Sequence, residues 1–161
     1  MPMKKSEKQQ EIKASLLEDM LSFITYTPNR ESDILAFMGQ YQKAERECRP
    51  PILEHLRACM DGGEYPNPYA ENYHYTSEDV SACGAILDEY TASLDAAVGN
   101  ADTISECVRQ TVCQLNALNE KCDHYLIDTW RRERLCSFIN TAAEQAGLAS
   151  HDDHTLQHRK W

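Results

Sequence analysis

Basic side chains are missing from the middle of this 161-residue chain: residues 61 to 106 carry ten carboxylates and no Lys or Arg. The flanks are balanced, with nine charges of each sign in residues 1 to 60 and seven of each in residues 107 to 161. The whole net charge of -10 therefore sits in one block. Such a block repels a phosphate backbone, which excludes direct nucleic-acid binding through it and favours a basic partner. Long apolar runs are missing too. None approaches the roughly 20 residues that cross a bilayer, and MPMKKSEKQQ opens on polar sequence rather than an apolar leader core. A cytoplasmic chain without a membrane partner is expected.

Close cysteine pairs are absent although cysteine itself is not. The seven at 48, 59, 83, 107, 113, 122 and 136 form an odd set with no Cys-x-x-Cys. That argues against a disulfide framework or a zinc site and for reduced thiols packed as small apolar groups. G-x-S-x-G, a phosphate-binding glycine loop and H-E-x-x-H do not occur. Catalytic residues, a metal site and a cofactor are accordingly not expected.

Period-two alternation is the last absence, and it points to an all-α protein. We expect a single-domain bundle of five or six helices over residues 1–149 with one long Tyr/Pro-rich loop, then a polar tail, residues 150–161, that frays. Ile12, Leu16, Met20 and Phe23 mark a first helix ending before Pro28. Ser32 caps a second, with Ile34, Met38, Tyr41 and Cys48 on one face. Pro50 and Pro51 suit the first turn of a third, where a missing amide proton costs little, and Gly62-Gly63 ends it.

After the loop, Ser77-Glu78-Asp79 is a helix start that opposes the positive end of the dipole with carboxylates. Val80, Cys83, Leu87, Tyr90, Leu94 and Val98 make its apolar stripe, and Gly99-Asn100 stops it. Thr103 with Glu106 reads as a capping box for a helix striped by Ile104, Val108, Thr111, Leu115, Leu118 and Cys122. Asp128 opens the last helix, with Leu135, Phe138, Ile139, Ala142 and Ala146 inward and Gly147 as its stop.

On a helix stepping 100° per residue, Glu78, Asp88, Glu89 and Asp95 fall opposite the Val80–Val98 stripe, interleaved with Ser81, Ala85, Ala92 and Ala96. This is either a solvated face or a smooth acidic docking face. The loop before it holds Tyr65, Tyr69, Tyr73 and Tyr75 flanked by Glu64 and Glu71. Tyrosine gives large contact area with few rotatable bonds, so the loop reads as contact surface, or as rings folded back on the core. The histidines carry less. Glu71-x-x-His74 is a single copy in a loop, and His151, His154 and His158 lie in a polar tail without supporting groups. Arg131-Arg132-Glu133-Arg134 opens a helix at the unfavourable end of its dipole. Compensation by Glu120, Asp123 or Asp128 is expected, with a guanidinium stacked on Trp130.

Leu115 to Ile139 resembles a segment of small uncharacterised bacterial helical proteins. The pattern L-N-x-L-N-E-K-C, L-I-x-T, R-E is carried here by Leu115, Asn116, Leu118 to Cys122, Leu126, Ile127, Thr129, Arg132 and Glu133. The resemblance implies a bacterial origin and names no activity. At the level of class, a small acidic helical bacterial protein with an exposed Tyr-rich surface is similar to immunity proteins, which neutralise toxins by stoichiometric complex formation. A binding protein of that kind, with a toxin domain as its basic partner, is the functional expectation. The alternatives are a regulatory or nucleic-acid-mimic protein with a basic cellular partner and, further off, a small helical enzyme or ligand carrier.

Overall fold

The computed structural model describes residues 2–25, 30–61, 73–149 and 151–161. It is all-α: α1 (Pro2–Ser22), α2 (Arg30–Lys43), α3 (Arg49–Met60), α4 (Ser77–Ala97), α5 (Ala101–Lys121) and α6 (Thr129–Ala146), with a 3-10 turn at Arg46–Cys48 and no strand among the described residues. The chain divides into two compact units, Met1–Ile24 with His74–Trp161, and Thr25–Tyr73.

In the larger unit α1 packs on α4 and α6, α4 packs on α5 and α6, and α5 packs on α6. The core is the set of helical stripes. Val80, Cys83, Leu87, Tyr90 and Leu94 from α4 meet Ile104, Val108, Val112 and Leu115 from α5, Leu135, Phe138 and Ile139 from α6, and Leu16 and Met20 from α1, all essentially buried. Three- and four-residue spacing puts each set on one side of its helix, and burying these faces together drives assembly. Val98 departs from its expected stripe. It is 67% exposed, because α4 ends at Ala97 and Val98 has left the helical conformation. Phe23, one residue past α1, is also largely exposed.

Side chains to backbone carbonyls lock the helices in register. Gln9 Nε2 donates to Phe138 O at 3.1 Å and Tyr90 Oη donates to Ile139 O at 2.7 Å, joining α1 and α4 to successive residues of α6. The α4–α5 turn is tied to the end of α6, where Gly99 N–H donates to Ala146 O at 2.9 Å. Gly147, the expected stop, has φ 125°, and a Cβ there would lie 3.4 Å from Gly99 N. Only glycine enters both that conformation and that gap without strain.

Three helix starts differ from expectation. Helix α2 already begins at Arg30, so Ser32 lies inside its first turn and is not its N-cap. Thr76, not Ser77, is the N-cap of α4, and Asp79 reaches back to accept from Thr76 N–H at 2.9 Å and Thr76 Oγ1–H at 3.2 Å. Asn100, not Thr103, caps α5, accepting from Thr103 N–H at 3.1 Å. Asn and Thr both cap, but the amide oxygen of Asn100 reaches the third residue of the helix from a better-placed position, and Glu106 turns instead to Arg109. Asp128 caps α6 as expected, accepting from Arg131 N–H at 2.8 Å.

The tail differs most, because residues 151–161 lie packed against α5 and α6. Asn116 on α5 donates to His158 O at 2.8 Å and accepts from Lys160 N–H at 3.0 Å. Asn140 on α6 accepts from His154 N–H at 2.9 Å and donates to Asp153 at 3.0 Å. Thr155 is fully buried and Trp161 packs against the core. Two helix-borne amides thus satisfy backbone groups that would otherwise favour water.

In the smaller unit α2 packs on α3. Phe37 is buried and stacks on His55, with centroids 5.5 Å apart and planes 16° from parallel, and the Arg49 guanidinium lies 4.9 Å from the Tyr41 ring centre. Pro50 and Pro51 occupy the first turn of α3. The expected face of Ile34, Met38, Tyr41 and Cys48 is not the buried one, since α2 buries Asp33 and Phe37 and leaves Met38 exposed. Glu45 is extended (φ -63°, ψ 151°), so Cys48 belongs to the next turn and cannot continue the α2 face. Gly62 and Gly63 lie outside the described residues.

Candidate partner-binding surface

Helix α4 holds the acidic face. Glu78, Ser81, Ala85, Asp88, Glu89, Ala92, Asp95 and Ala96 are all exposed, opposite the buried stripe. The four carboxylates therefore lie on one solvent side, separated by side chains too small to keep a partner away. The face is less acidic than α4 alone implies. Lys13 of α1 pairs with Asp88, and Lys121 of α5 pairs with Asp79 at 2.9 Å. Neighbouring helices thus supply the cations missing from residues 61–106. Glu78, Glu89 and Asp95 form no ion pair among the described residues and carry the net charge of the face. Asp79 serves the fold instead. Burial pushes its pKa up, but the Thr76 N–H and Lys121 more than offset this, holding the carboxyl below its ordinary value.

The tyrosines expected beside this face separate. Glu64, Tyr65, Tyr69 and Glu71 lie outside the described residues, and Tyr73 is half-buried in the smaller unit. Tyr75 is a core ring, 7% exposed, with its hydroxyl donating to Met20 O at 2.7 Å, so it offers a partner nothing. Burial raises its pKa against the pull of Arg131.

Arg131 is the chief structural cation, and only 2% exposed. Nε donates to Asp19 Oδ2 at 2.8 Å and Nη1 to Leu126 O at 2.9 Å, while Asp128 lies 3.9 Å away. The guanidinium is 4.8 Å from the Phe23 ring centre and 5.7 Å from that of Tyr75. Burial disfavours its charge, yet the Asp19 hydrogen bond more than compensates and raises its pKa further. The principal counter-ion thus comes from α1, with Asp128 second, rather than from Glu120 or Asp123. Arg134 lies over Trp130 at 4.8 Å, where a stacked guanidinium is expected.

Through Leu126 this cluster fixes the α5–α6 connection, which presents an aromatic site that sequence reasoning missed. Asp123 and His124 have φ of 56° and 65°, and the Asn119 side chain and backbone hold the turn by accepting from Ile127 N–H and His124 N–H. Tyr125 is consequently turned outward, 59% exposed, and stacks on His74 with centroids 3.7 Å apart and planes within 7°. His74 Nδ1 is 3.5 Å from Asp123 Oδ2. The available signal was the polar run Asp123-His124-Tyr125 between two stripes, which marks a turn but not its partner ring.

Four of the seven cysteines are buried thiols. Burial pushes the Cys83 thiol up to about 12 and the Cys122 thiol up to about 11, which keeps both protonated and inert. Among the described residues no three metal-ligating side chains converge, and no helix is long and apolar enough to cross a membrane. In the tail, Asp153 accepts from Thr155, Asn140 and Arg159, which bends the chain back onto α6. No protein-family model, curated protein or solved structure matches the chain.

Proposed function

We propose that this protein acts by binding a basic protein surface, as an immunity-type inhibitor that neutralises a bacterial toxin domain by stoichiometric complex formation. The observation that carries the reading is the outer face of α4, where Glu78, Glu89 and Asp95 stand exposed among small residues and form no ion pair among the described residues. Unneutralised carboxylates accelerate encounter with a positive partner, and Ser and Ala between them permit close approach. A toxin that handles nucleic acid presents a basic cleft, which such a face complements and can cover. A regulatory protein with a basic cellular partner shares this surface and differs only in the partner.

The test is co-purification from the source cells, with partner stoichiometry measured and cell survival scored when the partner is expressed with and without this chain. A basic partner at 1:1 whose toxicity is relieved supports the proposal. A non-toxic basic partner transfers the reading to regulation. A partner held equally well by a Glu78, Glu89, Asp95 to Lys variant contradicts both.

A further inference from the structure

Arginine seated on an aromatic ring recurs in this chain. Guanidinium groups lie 4.9 Å from the Tyr41 ring centre, 4.8 Å from Phe23, 4.8 Å from Trp130 and 5.9 Å from Trp161. Tyr125 is different. Among the described residues no guanidinium of this chain lies over it, although it is 59% exposed and held flat against His74 at 3.7 Å. A ring already stacked on one face has given up part of its freedom before any partner arrives, so less is lost when its open face is covered. Beside it the Asp123 side chain is 74% exposed, and Glu120 and Glu78 are exposed on the adjoining helix ends. The neighbouring cation, Lys121, is held by Asp79.

A flat, uncovered π-face in an acidic neighbourhood selects among cations. A guanidinium stacks flat on the ring and keeps its N–H donors free in its own plane, whereas an ammonium is a compact, strongly hydrated charge with no plane to stack. We propose that the open face of Tyr125, backed by His74 in a locally acidic turn, seats an arginine side chain of the protein partner. The inference rests on the reading that the partner is basic and specifies how one of its cations is recognised.

The experiment titrates the isotope-labelled full chain with octa-arginine and octa-lysine peptides, followed by NMR. Octa-arginine is expected to move the His74, Asp123 and Tyr125 signals and to bind about threefold or more tightly than octa-lysine, a ratio set by one exposed cation–π contact. Tyr125→Leu should erase that preference and Tyr125→Phe should keep it. Helical circular dichroism checks that both variants are folded. A Glu78, Glu89, Asp95 to Gln variant should weaken both peptides alike. Equal affinity for the two peptides, or shifts that bypass Tyr125, would overturn the arginine seat while leaving the basic-partner reading intact. Failure of both peptides to bind would overturn both readings.

Discussion

Removing the Asp19 carboxylate tests whether the Arg131 cluster holds the larger unit together. Because its contact to Asp19 O is 3.5 Å long, Asp19→Ala leaves a guanidinium that is 2% exposed with Leu126 O as its one close acceptor and Asp128, 3.9 Å away and half exposed, as its remaining counter-ion. Orphaning a fully buried charge costs about 3–5 kcal/mol. The Asp19 side chain is 30% exposed, so water can reach part of the vacated site, and the expected loss falls to about 2–3 kcal/mol. Arg131→Met removes the charge itself and fills its volume, so its main cost is the unpaired Leu126 carbonyl, about 1–3 kcal/mol. Combining the two should cost clearly less than their sum, since the carboxylate has nothing left to pair once the guanidinium is gone. Urea unfolding followed by circular dichroism measures this as a shift of the midpoint at constant m. A loss below about 0.5 kcal/mol for Asp19→Ala, or strict additivity, would refute the assignment of Arg131 as the tie between α1, the α5–α6 turn and α6.

Three further outcomes follow from local geometry. Gly147→Ala places a Cβ at φ 125° and 3.4 Å from Gly99 N, and should lower stability by about 1–3 kcal/mol in thermal unfolding, whereas Gly39→Ala, with open space around it, should not. Deleting residues 150–161 uncovers Asn116, Asn140 and the core beside Trp161, and should lower the melting temperature and speed hydrogen exchange in α5 and α6; an unchanged melting temperature would mean that the tail contributes nothing. The depressed Asp79 carboxyl gives an acid limb of fixed sign. Its folded pKa lies below the ordinary 3.8, so its stabilisation is complete above that value and is lost as pH falls through the folded pKa. Asp79→Asn should therefore lower stability at neutral pH and flatten the decline below pH 4, read from melting temperatures between pH 2 and 7.

What could be read from sequence was what is local. The stripes of α4, α5 and α6 follow from spacing within one helix, and Asp128 and Gly147 act within a turn of their own positions. The α4 cap was displaced by one residue because Thr76 and Ser77 both bear hydroxyls, and only the reach of Asp79 back to Thr76 decides between them. Tertiary pairing was beyond reach. Asp19 and Arg131 are 112 residues apart, and Lys13 and Asp88 are 75 apart. No pattern along the chain signals that α1 supplies the counter-charges for α6 and α4. The same limit applied to the tail, whose polar composition suits solvent until Asn116 and Asn140 are brought beneath it. Of the candidate surface, the outward carboxylates of α4 were legible from the helical step. Tyr75 was not, since one tyrosine in a tyrosine-rich run carries no mark of burial.

Binding of a basic partner through α4 is tested most directly by the ionic-strength dependence of the association rate with the co-purified partner. Charge reversal at Glu78, Glu89 and Asp95 changes the net charge of the face while leaving both members of the Lys13–Asp88 and Lys121–Asp79 pairs in the chain. The expected result is a wild-type rate that falls steeply with added salt, and a reversed variant slowed by about tenfold or more at low salt with little salt dependence. Equal rates for the two proteins at every salt concentration would contradict it.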